Sequence, residues 1–511
     1  MIHCMEDACV AIRPRFRSPP WTEDSIEWQQ LDAQVPPEHV SRQIVQALER
    51  LDLTALYDSY SGRGSPAVPP KLLLAVVLIE KHRGRQSPAE WFVDLRENVV
   101  LQWAGFGIRP SRSVCYEFRD RLGPLLEQWN KDILRQAIEC GMTDASEGAI
   151  DGSTIAACAS RHRLLNQQQL TGRIEKLRAA CDRDDRHEPA EQKEACEKKG
   201  AWMAPTPNGR KGQLERYERA AEALRPRVEA NAQRMPSQQL PVHRVVISPS
   251  DPEAALGPDK FKTFRPLYNA LRVSDNKSPL ILSYDVFAHG QDTALLEPMF
   301  QRTRDFTRGR LKKMAADAGF ITGTNLGHSV AAEIDLIGPW KENDYTARNR
   351  KKSPKFTKDD FTWLESEQTY QCPAGHRLEH TGTERRQRAG DQEERLERFG
   401  CQAELCAACP LRSQCTESRG GRQLRRSEHE PLIEAHRAKM LTSEAKGLLR
   451  RRGQTAERGF ADLKEHRKLR RMTGRGLPRA RTDVGLCVLI RNLLALHDHL
   501  TSKIAAMPAG P

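Results

Sequence analysis

A carboxylate set inside an apolar, strand-forming run limits what this chain can become. In 149-AIDGSTIAACAS-160, Asp151 follows Ala149 and Ile150 and precedes Gly152 and two hydroxyl residues. Burying an ionised carboxylate without a partner is costly, so any fold that takes in this strand must bring positive charge to Asp151. Two further carboxylates make the same demand. Asp317 closes a short strand-like stretch, 311-LKKMAADAGF-320, ahead of a Gly turn. Glu457 lies in the helical stretch 455-TAERGFADLKEHRKLRRM-472, where Phe460 and Leu463 follow at helical spacing and share its inward face. If the three converge, each pair repels by roughly 4 kcal/mol at about 4 Å and an effective dielectric near 20. Such a trio stays ionised only beside cations, and hard oxygen ligands select Mg²⁺ or Mn²⁺. Two such ions would activate a water or sugar hydroxyl and stabilise the leaving oxygen of a phosphodiester. Asp285 and Asp292 are rivals for the second position; Asp292 begins a helix, 292-DTALLEPM-299, where an N-cap role would satisfy it.

Charge points to the same kind of substrate. The 511 residues carry a net charge of +13, and residues 446–475 alone hold eleven Lys or Arg against three acids. A concentrated basic face suits a polyanion, although a solvated helix surface has the same composition. No apolar run reaches the roughly 18 residues of a membrane span. The N-terminus, MIHCMEDACVAIRPRFRSPP, lacks a secretory h-region. The expectation is a cytoplasmic protein without a membrane partner.

Residues 1–37 read as an irregular arm with Pro14, Pro19, Pro20 and Pro36. Residues 38–143 are helical: Val40, Ile44, Leu48 and Leu51 keep helical spacing, Ser87 and Glu90 form a capping-box pattern around Pro88, and Ser111 or Ser113 opens a further helix. Short helices with tight turns and basic Arg112 and Arg119 fit a helix-turn-helix-like module, while a plain bundle fits equally. The stretch 144–329 carries strand signals at 242–249, 266–275 and 279–287 and a helix at 292–306. It is interrupted at about 162–236 by a Glu/Lys/Arg-rich helical hairpin. Residues 330–445 are the least regular, and 446–511 return to helix. Strands and helices in this order predict a multidomain α/β fold.

Five of the thirteen cysteines crowd between 372 and 415: 372-CPAGH-376, then 401-CQAELCAACPLRSQC-415. Cys406 and Cys409 make a C-x-x-C knuckle, with Cys415 close behind and Cys372 distant. Four thiolates in a tetrahedral array would form a closed structural zinc site, with Cys401 and His376 as possible substitutes. Reduced, unligated thiols are the plain alternative.

The segments 149-AIDGSTIAA-157, 315-AADAGF-320 and 456-AERGFADLK-464 resemble the three signatures of the DDE transposases of bacterial insertion sequences, and 111-SRSVCYEFRDRL-122 and 249–273 resemble other parts of that family. The resemblance implies an RNase H-like (retroviral-integrase-like) mixed sheet with flanking helices. An all-helical N-terminal domain would precede it, and helical and zinc-ribbon-like insertions would interrupt it. It implies Asp151, Asp317 and Glu457 as catalytic ligands of two Mg²⁺ or Mn²⁺ ions, and a Cys-rich insertion before the Glu. Lys464 is similar to a family lysine that contacts DNA phosphate. Arg450 stands where relatives carry Tyr and Gly453 where they carry Arg, with Arg451 and Arg452 beside them. Arg450, Arg451, Arg452, Arg458, Arg467 and Lys468, with Arg112 and Arg119, are the expected DNA contacts. The activity implied is binding of terminal inverted repeats, end cleavage and strand transfer to target DNA. The implied assembly is a homodimer or larger complex on DNA, in a cytoplasmic, nucleoid-associated setting. A non-catalytic DNA-binding relative and a nuclease without strand transfer are the competing functions.

Overall fold

The computed structural model describes residues 14–186, 202–341, 355–387 and 393–505; the side chains of 454–461 and 505 lie outside that set. Eight helices come first: α1 (Ile26–Asp32), α2 (Val40–Ala47), α3 (Thr54–Asp58), α4 (Pro70–Arg83), α5 (Pro88–Glu97), α6 (Val99–Ala104), α7 (Arg112–Leu122) and α8 (Leu126–Glu139). Their starts follow the sequence signals. Ser87 and Glu90 make the capping box of α5, and the Ser111 side chain accepts the Val114 N–H at the start of α7. The stretch 113–142, which reads as one helix, divides at Gly123 and Pro124 into α7 and α8. Within the expected irregular arm, the residues before 14 lie outside the described set, and α1 is a helix because Trp28 has something to pack on. Its ring stacks 6.4 Å from Trp103 and 5.4 Å from Phe106.

The main sheet begins with β1 (Glu147–Ala156). The excursion that follows is a helical pair, α9 (Gln167–Asp185) and α10 (Pro207–Ala232), around its own small core of Leu170, Leu177, Ala220 and Leu224. The expected strand at 242–249 is mostly not one. Pro241 leads into a 3₁₀ turn, and only Val246–Ile247 (β3) pairs, with β2 (Leu165–Asn166) at the foot of the hairpin. The sheet resumes with β4 (Ala255–Pro258), β5 (Phe264–Asp275) and β6 (Ile281–Phe287), and α11 (Leu296–Thr307) leads to β7 (Lys313–Ala315). Then come α12 (Gly323–Ala331) and β8 (Asp335–Ile337), which lies past residue 329, inside the stretch that reads as Cys-rich insertion. Across the sheet the order is β6-β5-β1-β7-β8, with β4 continuing the β6 edge of β5. Strand β5 runs antiparallel to both of its neighbours, β6 and β1, whereas β7 and β8 run parallel to β1.

The region 330–445 is more ordered than its sequence suggests. It holds a five-stranded antiparallel sheet, β13-β12-β11-β10-β9, built from β9 (Thr362–Leu364), β10 (Thr369–Gln371), β11 (Arg377–Gln387), β12 (Glu393–Gly400) and β13 (Gln423–Ser427). Its long strands are rich in Arg and Glu, which hides the alternation: in β12 only Glu394, Leu396 and Phe399 are buried. Short helices α13 (Ala403–Ala407) and α14 (Arg412–Cys415) precede β13, and α15 (Glu430–Lys439) follows it.

The chain ends in α16 (Ser443–Ala461), a π-helical turn Asp462–His466, and α17 (Leu477–Ala505). The middle of helix α17, residues 482–490, is covered on every side. Leu486, Leu489, Ile490, Leu493 and Leu496 are fully buried between α2, α4 and α8 on one flank and β6 on the other. Gly485 permits the approach, since a Cβ there would lie 2.6 Å from the Tyr284 hydroxyl. Asn492 completes the join, accepting the Ile281 N–H and donating to the Ile281 carbonyl, both at 2.8 Å. The N-terminal helices and the sheet therefore share one core. A buried ion pair crosses it: Lys81 of α4 reaches Asp483 of α17 at 3.1 Å, both side chains fully enclosed, while Asp483 also accepts the Thr473 N–H. Removing one partner strands the other charge. Lys81→Met should therefore lower unfolding stability by about 3–5 kcal/mol in denaturant titration. A loss below about 1 kcal/mol, the worth of an exposed pair, would mean Asp483 is satisfied without it.

Candidate active site

The pairing of β1 with β7 is parallel and short: Glu147 faces Lys313, Gly148 faces Met314 and Ala149 faces Ala315. Continued two residues further, that register sets Asp151 level with Asp317, on neighbouring strands about 4.8 Å apart. The ladder ends just before the carboxylates begin. One guanidinium answers both. Arg452 of α16 brings Nη2 to 4.0 Å from Asp151 Oδ1 and 3.8 Å from Asp317 Oδ2. These separations are ionic, not hydrogen-bonded, so the arginine compensates charge without filling either carboxylate's coordination.

The two acids differ in setting. Asp151 is largely enclosed and Asp317 is half-exposed. Burial raises the Asp151 pKa; Arg452, Arg272 and the Gly152 N–H work against the rise, and the Asp317 charge adds to it. Asp317 accepts the Gly319 N–H at 2.7 Å, which explains the Gly turn after it. Beneath Asp151, Arg272 of β5 is buried, and burial pulls its pKa down to about 10 while Arg491 adds to the fall and Asp151 and Asp462 oppose it.

The rivals fall out differently. Asp285 is taken by Arg481, whose Nε lies 2.8 Å from Oδ1, and needs no metal. Asp292 precedes the 3₁₀ turn Thr293–Leu295 but makes no side-chain cap, so the expected capping role is not what it does. Its carboxylate instead accepts the Asn269 amide and lies over Gly152, where a Cβ would meet Asp292 Oδ2 at 2.8 Å. Burial raises its pKa and the Asp317 charge adds to the rise. The glycine after Asp151 is therefore what makes room for Asp292, which lies near enough to Asp317 for their charges to interact.

Helix α16, which carries Glu457, crosses β1, β5, β7 and β8. The Glu457 and Arg458 side chains lie outside the described residues. Among the described residues no three His, Cys, Asp or Glu side chains are close enough to hold a metal ion. The Asp151–Asp317 pair has the hard oxygen donors a Mg²⁺ ion takes, and a cation already lies between them.

Two family models match the chain. Residues 371–497 match the one described as Transposase DDE domain, and residues 29–121 match Transposase domain (DUF772). These two matches support a DDE transposase of an insertion sequence. No curated protein and no solved structure matches the chain. The DDE match contains Glu457 and the clustered cysteines, whereas Asp151 and Asp317 fall between the two matched segments. A DDE domain implies an enzyme of polynucleotidyl-transferase type with DNA as partner. No helix among the described residues is long and apolar enough to cross a membrane.

The basic residues expected at DNA divide into two groups. Arg112, Arg450, Arg451 and Lys468 are exposed, although Arg451 is engaged by Glu147 at 3.1 Å. Arg119, Arg467 and Lys464 are buried. Arg119 pairs with Asp120 and Arg467 with Asp462. The Lys464 ammonium turns back onto β1, donating to Ser153 Oγ and to the Thr154 carbonyl at 2.9 Å. Burial, helped by the Lys260 charge, lowers its pKa to about 8, against the pull of Asp151. It holds the strand that carries Asp151, from a π-helical turn of the kind that marks functional sites.

The cysteines come together. Cys372, Cys401, Cys406, Cys409, Cys415 and His376 line one small cavity at the end of the second sheet. The 372–376 turn is closed by Cys372 N–H to the His376 carbonyl at 2.9 Å, and the His376 N–H points at Cys372 Sγ at 3.3 Å. Burial pushes Cys401 up to about 12, with Cys406 adding to the rise, and Cys415 is raised in the same way. The donor set is that of a thiolate zinc site, although among the described residues no three of these side chains are grouped as metal ligands.

Because the folded Asp151 pKa is raised, ionisation costs folding stability once pH exceeds the ordinary carboxylate value. Asp151→Asn should melt a few degrees above wild type in EDTA at pH 7, and that advantage should vanish toward pH 4. Mg²⁺ should raise the melting temperature of wild type but not of the variant. An equal or lower melting temperature for the variant at both pH values would contradict this reading.

Proposed function

We propose that this transposase binds the terminal inverted repeats of its own element, cleaves at the element ends and joins the 3′-OH ends to target DNA. Asp151, Asp317 and Glu457 would hold two Mg²⁺ ions in an RNase H-like core. The observation that carries the reading is that Asp151 and Asp317, just past the parallel β1–β7 ladder, share one guanidinium, Arg452. The strand order β6-β5-β1-β7-β8, antiparallel and then parallel about β1, supports the core assignment. Bound there, divalent ions would supply an activated hydroxyl and charge neutralisation at the leaving oxygen.

The protein's own groups do the rest. Buried Lys464 fixes β1 through Ser153 and Thr154, so Asp151 cannot swing away when DNA arrives. Arg452 balances the two acids in the resting site. The exposed Arg450 and Arg451 of α16 and Lys468 after the π turn would take phosphates, contacts that give register more than sequence choice. Arg112, at the first turn of α7, is the N-terminal candidate. Assembly as a dimer or larger complex on paired ends belongs to the same reading.

The test uses a labelled duplex carrying the element's own end, with Mg²⁺, with EDTA, and with Asp317→Asn. Metal-dependent cleavage and joined products are expected from wild type. The variant should lose about a hundred- to a thousand-fold in rate, as when one charge-stabilising group is removed, with end binding unchanged. Cleavage without joining would make the protein a nuclease. Binding without cleavage, unaltered by the substitution, would make it a non-catalytic relative.

We further assign the cysteine cavity to a structural zinc ion held by Cys372, Cys406, Cys409 and Cys415, with Cys401 as the alternate thiol. Protein purified without added metal should contain about one zinc per chain by elemental analysis, the stoichiometry of a closed four-ligand site. Cys406→Ser should lose it and unfold the β9–β13 sheet first. Zinc-free protein with an intact second sheet would refute the assignment.

A further inference from the structure

The chain just before α1 is extended and paired with the loop that leads into α4. The Arg17 N–H donates to the Ala67 carbonyl and the Ala67 N–H to the Arg15 carbonyl, both at 2.9 Å. Side chains alternate along extended backbone, so Phe16 and its two neighbours point to opposite sides. Phe16 turns inward, edge-on to Tyr57 at 5.2 Å and to Tyr60 at 5.4 Å. Arg15 and Arg17 are thereby delivered together to the other side, where they line a cavity of about 320 Å³.

Two more arginines reach the same cavity. Arg63 stands at the exposed tip of 60-YSGRGSP-66, and the φ of 86° at Gly64 lets the loop turn back there. Arg121 comes from α7, whose Val114, Glu117, Phe118 and Arg121 share one face at helical spacing and line the cavity. Glu117 is the single acid among the lining residues. Arg112 and Arg119, the cations expected at DNA from the sequence, do not line it.

These guanidiniums are oriented, but not by carboxylates. Arg15 donates to the Gly64 carbonyl at 2.8 Å and Arg17 to the Pro66 carbonyl at 3.0 Å. Arg121 lies 3.9 Å from the Tyr60 ring centroid and donates to Ser59 Oγ at 3.1 Å. Among the described residues none of the four pairs with an acid. Elsewhere arginines close on carboxylates, as Arg85 does on Asp94 and Arg479 on Asp120. A backbone carbonyl fixes a guanidinium without cancelling its charge. The cavity therefore keeps a surplus of cations, each a planar fork with donors to spare, the group best matched to phosphate. A helix that reads bases must protrude into a groove, whereas α7 forms one wall of a concavity, which suits a sugar–phosphate strand lying in it.

We propose that this cavity seats backbone phosphates of the duplex at the element end, held by Arg15, Arg17, Arg63 and Arg121, and supplies affinity and register without reading sequence. This rests on the transposase reading above and adds to it a DNA contact outside the candidate active site.

The experiment measures binding of a fluorescent element-end duplex, and of a scrambled duplex of equal length, in EDTA from about 50 to 200 mM KCl. Wild type is compared with Arg63→Ala, with the double variant Arg15→Gln/Arg17→Gln, and with Arg178→Ala, an α9 arginine engaged by Glu218. The slope of log K against log[salt] should become shallower by about 0.9 in Arg63→Ala and about 1.8 in the double variant, because each phosphate contact releases counterions. Affinity should fall equally on both duplexes, Arg63→Ala should melt with wild type, and Arg178→Ala should keep the wild-type slope. Inorganic phosphate at matched ionic strength should displace the duplex no better than chloride does. The proposal is overturned if the variants keep the wild-type slope, if only the element-end affinity falls, or if inorganic phosphate competes selectively with wild type and not with the variants. Wild type that binds neither duplex overturns it together with the reading it rests on. Slopes shifted as expected, in a protein that never cuts, would keep the phosphate site and sink the cleavage reading alone.

Discussion

The structure turns on three residues of parallel pairing. Because Ala149 of β1 faces Ala315 of β7, Asp151 and Asp317 both follow the end of the ladder within reach of Arg452. A one-residue slip would put one of them on the other face of the sheet and end the pairing of charges. Everything that packs on these strands helps to hold that register: β5 along the other edge of β1, β8 outside β7, and α16 across both. Arg452 is the electrostatic counterpart. It lies about three hundred residues along the chain from Asp151, yet its guanidinium stands between two acids whose repulsion would otherwise open the sheet.

This explains why the C-terminal segment belongs with the main sheet and cannot drift from it. Helix α17 is embedded between the N-terminal helices and β6, tied by Asn492 to Ile281 and by Asp483 to Lys81. The π turn just before it carries Lys464 into β1. Helix α16 is thereby anchored at its exit by contacts that reach both layers. The two excursions, the α9–α10 pair and the β9–β13 sheet, have separate small cores and leave the five-strand order intact.

Much of this was legible in the residues. Asp151, read as a carboxylate needing a positive partner, has one in Arg452, and the Ser87 capping box and the strands at 264–275 and 281–287 lie where their patterns put them. What could not be read depended on distant partners. The β12 strand hides its alternation under Arg and Glu that pair across the sheet, as Glu393 does with Arg385 of β11. Asp292 resembles a helix cap locally, and only the fold brings it over Gly152. Lys464, Arg467 and Arg119 look like surface cations in sequence, but each is turned inward by a partner far along the chain or beside it. Charge pattern alone does not tell a phosphate contact from a buried strut.

The most direct test of the central claim is diffraction from crystals soaked in Mn²⁺, with anomalous scattering collected to locate the metal. A peak in contact with both Asp151 and Asp317, with Arg452 displaced from between them, is the predicted result. Arg452 unmoved and no anomalous density at these carboxylates, at Mn²⁺ concentrations that support cleavage, would contradict the account.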